Sequence, residues 1–248
     1  MIIGKTVHKL ETCASTNDAA REFARDGFEE GLVVVARSQE AGRGTRGRVW
    51  FSPPGKGLYM SVVLRPKAEQ AALIPLLGGV AVSDAIRETT KLGSRLKWPN
   101  DVTINGLKVA GVLSEASWSG THLNFVILGI GLNVGHARAD FPPELRDTAT
   151  SVFIASGASP STGPLLARLY RALDRWYDGL RAGRSAGLMR AAKSALGLRT
   201  GSRVSLKTGA GPVAGEFREL RSDGSIVLKR PSGRRVFRPS EVLAISAE

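Results

Sequence analysis

The chain has 248 residues, 42% apolar and 23% charged, with a net charge of +13; this is the make-up of one large globular domain, or of a main domain with a small one, and not of a disordered or fibrous chain. The single cysteine, Cys13, excludes an internal disulfide, and His8, His122 and His136 are spaced too far apart to suggest a zinc site. No apolar run approaches the roughly 18 residues of a membrane span and the N-terminus carries no secretory signal, so a cytoplasmic protein that does not bind membranes is expected.

In chain order, "STNDAAREFARD" (15–26) predicts a short helix, with Ser15 and Asp18 as a capping-box-like start and Gly27 as its stop. "LVVVAR" (32–37) is a β-branched run that predicts a strand. The next segment, "AGRGTRGRVWFSPPGKG" (41–57), spells G-x-G-x-x-G through Gly42, Gly44 and Gly47. A dinucleotide fingerprint needs a helix after the motif, and Pro53, Pro54, Gly55 and Gly57 forbid one. The loop instead offers backbone N–H groups together with the guanidinium groups of Arg43, Arg46 and Arg48, which suits a phosphate or carboxylate. So many glycines predict a segment that is mobile when empty and closes over a ligand.

"LYMSVVL" (58–64) predicts a strand, and 70–91 a long helix in which Pro75 is tolerable only near the start. Residues 96–116 read as a hairpin about the Asn105–Gly106 turn, and "NFVILGIGLNV" (124–134) as a buried strand. Residues 162–181 place Leu165, Leu166, Leu169, Leu173, Trp176 and Leu180 at helical spacing, a core stripe. After Leu198 the texture changes to short strands punctuated by "GAG", "SDG" and "PSG", which divides the chain into a mixed α/β domain, 1–198, and a small all-β unit, 199–248. Residues 181–248 carry 14 Lys or Arg against five Asp or Glu. That excess reads as a solvated surface, with steering of an acidic partner as the other reading.

Two further segments carry candidate chemistry. In "KWPND" (97–101), Asp101 could take a magnesium ion and Lys97 could neutralise phosphate, although Pro-Asn-Asp is also ordinary turn sequence. Lys108 follows the tight turn and is either a cation for a negatively charged ligand or a solvated edge residue, and Gly111 marks a point where a ligand could approach the backbone. No Ser/His or Cys/His constellation suggests an enzyme nucleophile.

S-T-N (15–17), Gln39, GRGTRGR-x-W (42–50), KWPND (97–101), K-x-A-G (108–111) and G-x-G-x-N (129–133) occur in that order. Together they resemble the catalytic domain of biotin–protein ligases over roughly residues 5–180, and the tail resembles that family's SH3-like C-terminal barrel. The resemblance implies a class II synthetase-like mixed sheet and a two-step reaction. Biotin and ATP give biotinyl-5′-AMP and pyrophosphate, with magnesium; a lysine of a biotin carboxyl carrier protein, or of a carboxylase's biotin domain, then takes the biotinyl group.

Carried over by position, it implies that Ser15, Thr16, Asn17, Gln39 and the Gly42–Arg43–Gly44–Thr45 segment hold biotin, with Trp50 packed over the ligand and Gly111 and Gly129 lining the site. Lys108 would bridge the carboxylate and α-phosphate, and Arg43, Arg46 and Arg48 would join it in catalysis. Arg46, Arg48, Lys97, Asn100, Asp101, Lys108 and Asn133 would serve ATP, with Asp101 on the metal. Thr45 departs from the pattern, because the family commonly has a further arginine there. Only 14 residues precede Ser15, too few for a winged-helix domain, so a monomeric or homodimeric ligase without DNA binding is expected. A lipoate–protein ligase shares the chemistry and is the nearest alternative; a biotin-binding regulator without ligase activity, and a nucleic-acid binder resting on the basic tail alone, are the others.

Overall fold

A computed structural model describes residues 1–158 and 161–247. β1 (Val7–Cys13) leads through helix α1 (Thr16–Arg25) to β2 (Val33–Gln39), and the two strands pair in parallel. β3 (Gly57–Leu64) follows the glycine loop and pairs antiparallel with β2. A 3-10 turn over Ala68–Leu73 then runs into α2 (Ile74–Thr90), which places Pro75 in the first helical turn, where its missing N–H has no partner to lose. The helix expected as one piece therefore begins in two. Its segment 68–90 is long and apolar enough to cross a membrane by composition, yet most of it is buried inside the protein.

The edge strand β4 (Arg95–Lys97), β5 (Asp101–Ile104), β6 (Leu107–Ser119) and β7 (His122–Asn133) complete a seven-stranded sheet of order β1-β2-β3-β7-β6-β5-β4. The β5–β6 turn is Asn105–Gly106, both at positive φ (50° and 81°), the geometry those two residues favour. Beyond the sheet lie a short helix α3 (Val152–Ser156), then α4 (Thr162–Arg181) and α5 (Ser185–Leu196). Strand alternation divides the core. Val62, Leu64, Leu128 and Ile130 point to the side covered by α2, α4 and α5, while Val63, Ile127, Val34 and Phe125 face α1. Leu165, Leu169 and Leu173 are fully buried and contribute about 1.5–3 kcal/mol each. Leu166 and Trp176 are only partly buried, at the edge of that stripe.

β8 (Arg203–Thr208), β9 (Gly211–Leu220), β10 (Ile226–Arg230), β11 (Gly233–Phe237) and β12 (Val242–Ala247) form a second, antiparallel sheet of order β11-β10-β9-β8-β12. Among the described residues β11 and β12 do not pair, and the expected closed barrel is not shown by this sheet. Its inner residues Val204, Leu206, Phe217 and Leu228 join the same apolar core as α2 and the large sheet. Trp98, almost wholly buried, donates its indole N–H to the Gly224 carbonyl at 3.1 Å.

Three local expectations change. Ser15 does cap α1, but its side chain makes no capping bond, and Asp18 instead meets Arg21 and Arg43, both at 2.7 Å; a carboxylate between two guanidinium groups outweighs a return to the backbone. β1 was not anticipated, because "VHKLETC" lacks a clean apolar alternation. Nor was α5, whose apolar face, Leu188, Ala192 and Leu196, is spread among small residues.

His136 is fully buried and stacks on Phe141 with ring centroids 4.8 Å apart. Burial pulls its imidazole from 6.5 down to about 4, with nearby Asp140 opposing in part. The unfolded chain therefore binds this proton first. The stability gained by keeping the ring neutral is complete above about pH 6.5 and drains away as the pH falls toward 4. His136→Phe is expected to move the acid unfolding midpoint to lower pH; coincident acid unfolding curves for the two proteins would contradict this.

Candidate active site

The glycine loop is a closed hairpin. Trp50 N–H donates to the Gly42 carbonyl (2.8 Å) and Gly44 N–H to the Arg48 carbonyl (2.6 Å), around a 3-10 turn at Thr45–Gly47. No helix follows it, as the prolines dictate. Gly42 is required for close approach, since a Cβ there would lie 2.5 Å from the Trp50 carbonyl oxygen.

Beside the loop, a cavity of about 300 Å³ opens on the α1 face of the large sheet. It exists because the strands carry almost no side chains there. Gly111 of β6 and Gly131 of β7 are cross-strand partners, and the Trp50 ring lies flat on the pair. A Cβ on Gly131 would fall well inside contact with Trp50 Cε2 and Nε1, and one on Gly111 would be 2.9 Å from Cζ3. Gly129, cross-strand from Ser61 of β3, leaves room in the same way for Asn17.

One end of the cavity is a chain of neutral polar groups fixed by α1, β2 and β3. Thr16 donates through its backbone N–H (2.9 Å) and hydroxyl (3.1 Å) to Gln39 Oε1, and Gln39 Nε2 donates to Ser52 Oγ (2.8 Å). Ser61 Oγ lies 2.8 Å from Thr16 Oγ1 and donates to Asn17 Oδ1 (2.6 Å), while Asn17 Nδ2 donates to Glu115 (2.6 Å). Ser15, Thr16 and Asn17 are all buried. A bound molecule here meets amides and hydroxyls with both donor and acceptor capacity.

The other end is charged. Lys108 Nζ lies 2.7 Å from Asp101 Oδ1 and 5.3 Å from the centre of the Trp50 ring. The pair is an ion contact without hydrogen-bond alignment, which leaves Asp101 Oδ1 without a hydrogen-bond partner. The Lys108 backbone is clamped by Thr148 and Thr150, so the lysine is held at the cavity and is not a solvated edge residue. Lys97 is cross-strand from Asp101, and both line the space. Asn100 donates to the Val112 carbonyl (3.0 Å) and Asn133 to that of Thr150 (3.0 Å); both line the cavity while bracing its walls. Asp101 is the one carboxylate among the lining residues, and no cluster of three metal-ligating side chains occurs among the described residues.

The expected residues converge, with two exceptions. Gly42 supports the loop from behind, and Arg46 turns away: its guanidinium donates to the Ser240 and Val242 carbonyls, both at 3.1 Å. Arg43 lines the cavity but is neutralised by Asp18 (2.7 Å) and Glu115 (3.0 Å), and Arg48 donates to Thr45 Oγ1 (2.8 Å). Of the two arginines expected to clamp phosphate, Arg48 lines the cavity and Arg46 points away from it in this structure. Ser52, Ser61, Glu115 and Gly131 were missed; Ser61 had a signal, as the lone polar residue of an apolar strand.

A mixed sheet with a glycine–arginine loop at its edge, an amide-lined pocket and a lysine facing one carboxylate suits an enzyme that joins a small acid to a nucleotide. Residues 10–133 match the biotin/lipoate A/B protein ligase family, and the chain belongs to that family. It is 36% identical over 238 residues to the biotin–[acetyl-CoA-carboxylase] ligase of Paracoccus denitrificans, covering 92% of this chain and 96% of that protein. It is 33% identical over 235 residues to the bifunctional ligase/repressor BirA of Bacillus spizizenii, covering 94% of this chain and 72% of that protein. The solved biotin protein ligase of Aquifex aeolicus, in complex with biotin and ATP, superposes with a TM-score of 0.85 at 28% identity, covering 98% of this chain and all of that one.

Proposed function

We propose that this chain is an ATP-dependent biotin–protein ligase, and the observation that carries the reading is the two-ended cavity. The neutral end formed by Thr16, Asn17, Gln39 and Ser61 suits a ureido ring, which both donates and accepts hydrogen bonds. A lipoyl dithiolane offers no matching set of donors and acceptors. At the charged end, a biotin carboxylate oxygen attacks the α-phosphorus of ATP, the bond to the pyrophosphate oxygen breaks, and biotinyl-5′-AMP forms. A carrier lysine then attacks the acyl carbon, AMP leaves with the bonding pair, and the amine loses its proton to solvent. Both steps gather negative charge beside Lys108, with Lys97 and Arg48 along the same wall. No protein nucleophile is needed.

Magnesium would meet Asp101, the one carboxylate lining the cavity, as an ion carried in on the phosphates, and would share that carboxylate with Lys108, whose ammonium lies 2.7 Å from Oδ1. When bound, it would neutralise phosphate charge. The short strands and tight turns of the C-terminal sheet support the SH3-like reading of residues 199–248, a unit whose inner face shares the core of the large sheet, and an acetyl-CoA carboxylase as acceptor is in keeping with the name of the Paracoccus relative.

The test is ATP–pyrophosphate exchange with biotin, lipoate or no acid. Biotin-dependent exchange is expected, and lipoate-dependent exchange alone would transfer the assignment to the other branch of the family. Thr45 lines the cavity and offers a neutral hydroxyl, so Thr45→Arg adds a charge-assisted bond to a bound adenylate. Adenylate release is expected to slow about tenfold, with less labelling of a bystander protein; unchanged release and labelling would refute it.

A further inference from the structure

We propose that the C-terminal unit shapes the active-site loop through Arg46, which makes Arg46 a positioning residue; the catalytic part of this inference rests on the ligase reading above. Arg46 is one of three non-glycine residues with positive φ (φ 61°, ψ 41°) among the described residues. Left-handed backbone is costly for a side chain of this kind and persists where surrounding contacts hold it. The twist has a definite result. Thr45 and Arg48 face the cavity, while Arg46 leaves by the back of the loop and reaches across about 195 positions of sequence to Ser240 and Val242.

Its acceptors are well anchored. Ser240 lies in a 3-10 turn closed by Glu241, whose carboxylate accepts from Arg238 N–H at 2.7 Å, and Val242 is buried and opens β12. No carboxylate lies in ion-pair range of Arg46 among the described residues, so two fixed carbonyls are its partners. A second cleft, between the C-terminal unit and the large sheet, is lined by Thr45, Arg46, Asn100 and Leu113 on one side and by Ser240 and Val242 on the other. Thr45, Asn100 and Leu113 also line the main cavity, so loop and β6 form a wall shared by the two spaces. The C-terminal unit holds that wall from outside, and Arg46 is the tie.

The experiment uses the full chain and two readouts. In the empty protein, Arg46→Ala is expected to speed backbone hydrogen exchange across residues 43–49 about tenfold while core strands stay protected. In turnover, the KM for ATP is expected to rise about tenfold, the factor a lost charge-assisted contact brings, with kcat for pyrophosphate exchange within threefold. Arg46→Lys keeps a cationic donor and is expected to restore at least half of the loop protection. A risen KM with unchanged loop exchange would mean that Arg46 meets phosphate directly, and the proposal would fail; it would fail equally if lysine behaved as alanine. Should biotin-dependent exchange be absent from the native protein, the ligase reading falls, while the hydrogen-exchange arm still decides the tie.

Discussion

Lys108→Ala is expected to lower biotin-dependent ATP–pyrophosphate exchange at least a hundredfold while the protein stays folded. The lysine is fixed by two backbone bonds to Thr148 and Thr150, and its ammonium sits between Asp101 and the Trp50 ring. An incoming carboxylate and α-phosphate would meet a cation already in place, and a preorganised charge of that kind is worth about 3 kcal/mol or more in the transition state. Some stability should also be lost, because the pair is mostly buried (29% and 19% exposed) and the Asp101 carboxylate would lose its cation, so a circular dichroism spectrum must accompany the assay. Lys108→Arg should not restore activity, because the planar fork needs width where the Trp50 ring and Gly111 confine the stem. Exchange within threefold of native for the alanine variant would remove Lys108 from the reaction.

Gly131→Ala is the second large effect, and it acts through a residue it does not alter. The new methyl group would occupy the place of Trp50 Cε2 and Nε1, so the indole must lift off the sheet and into the space the ligand needs. Loss of a stacked aromatic wall costs about 1–3 kcal/mol per ring, so adenylate affinity should fall roughly 10- to 100-fold. The fold should survive, since alanine is no worse than glycine in a strand interior and Gly131 has no positive φ to accommodate. Gly111→Ala should be milder, because its methyl would meet only Cζ3 at 2.9 Å and the flexible end of Lys108. Adenylate affinity within threefold of native for Gly131→Ala would show that Trp50 does not cover the ligand.

Much of this was legible because local chemistry left one reading. Asn105–Gly106 could only be a tight turn, Pro75 could only open a helix, and the prolines after Gly47 removed a dinucleotide helix from consideration. Lys108, Asp101, Trp50 and the S-T-N segment came from motif order, and they share one cavity. What the sequence hid is direction. Arg43, Arg46 and Arg48 alternate with other residues in one short loop and look equivalent, yet one meets two carboxylates, one a distant pair of carbonyls, and one its own turn. Those partners lie as far off as β12, and no local pattern encodes them. Glu115 and Gly131 were hidden for a related reason: each matters through its cross-strand neighbourhood, which register alone decides.

The glycine floor beneath Trp50 bears on redesign. A pocket walled by large side chains can be enlarged by trimming them, but under this indole nothing remains to trim. The depth available to a ligand is set by the pairing of Gly111 with Gly131 and by the sheet's own pleat. An engineer seeking room for a bulkier acid could shorten Trp50 but would then meet the backbone itself, and would otherwise work outward, through the hydroxyl and amide groups of Thr16, Asn17 and Gln39 or the apolar flank at Phe141 and Leu145. Substrate range in this protein is thus limited by main-chain geometry on one side and adjustable by side-chain exchange on the others.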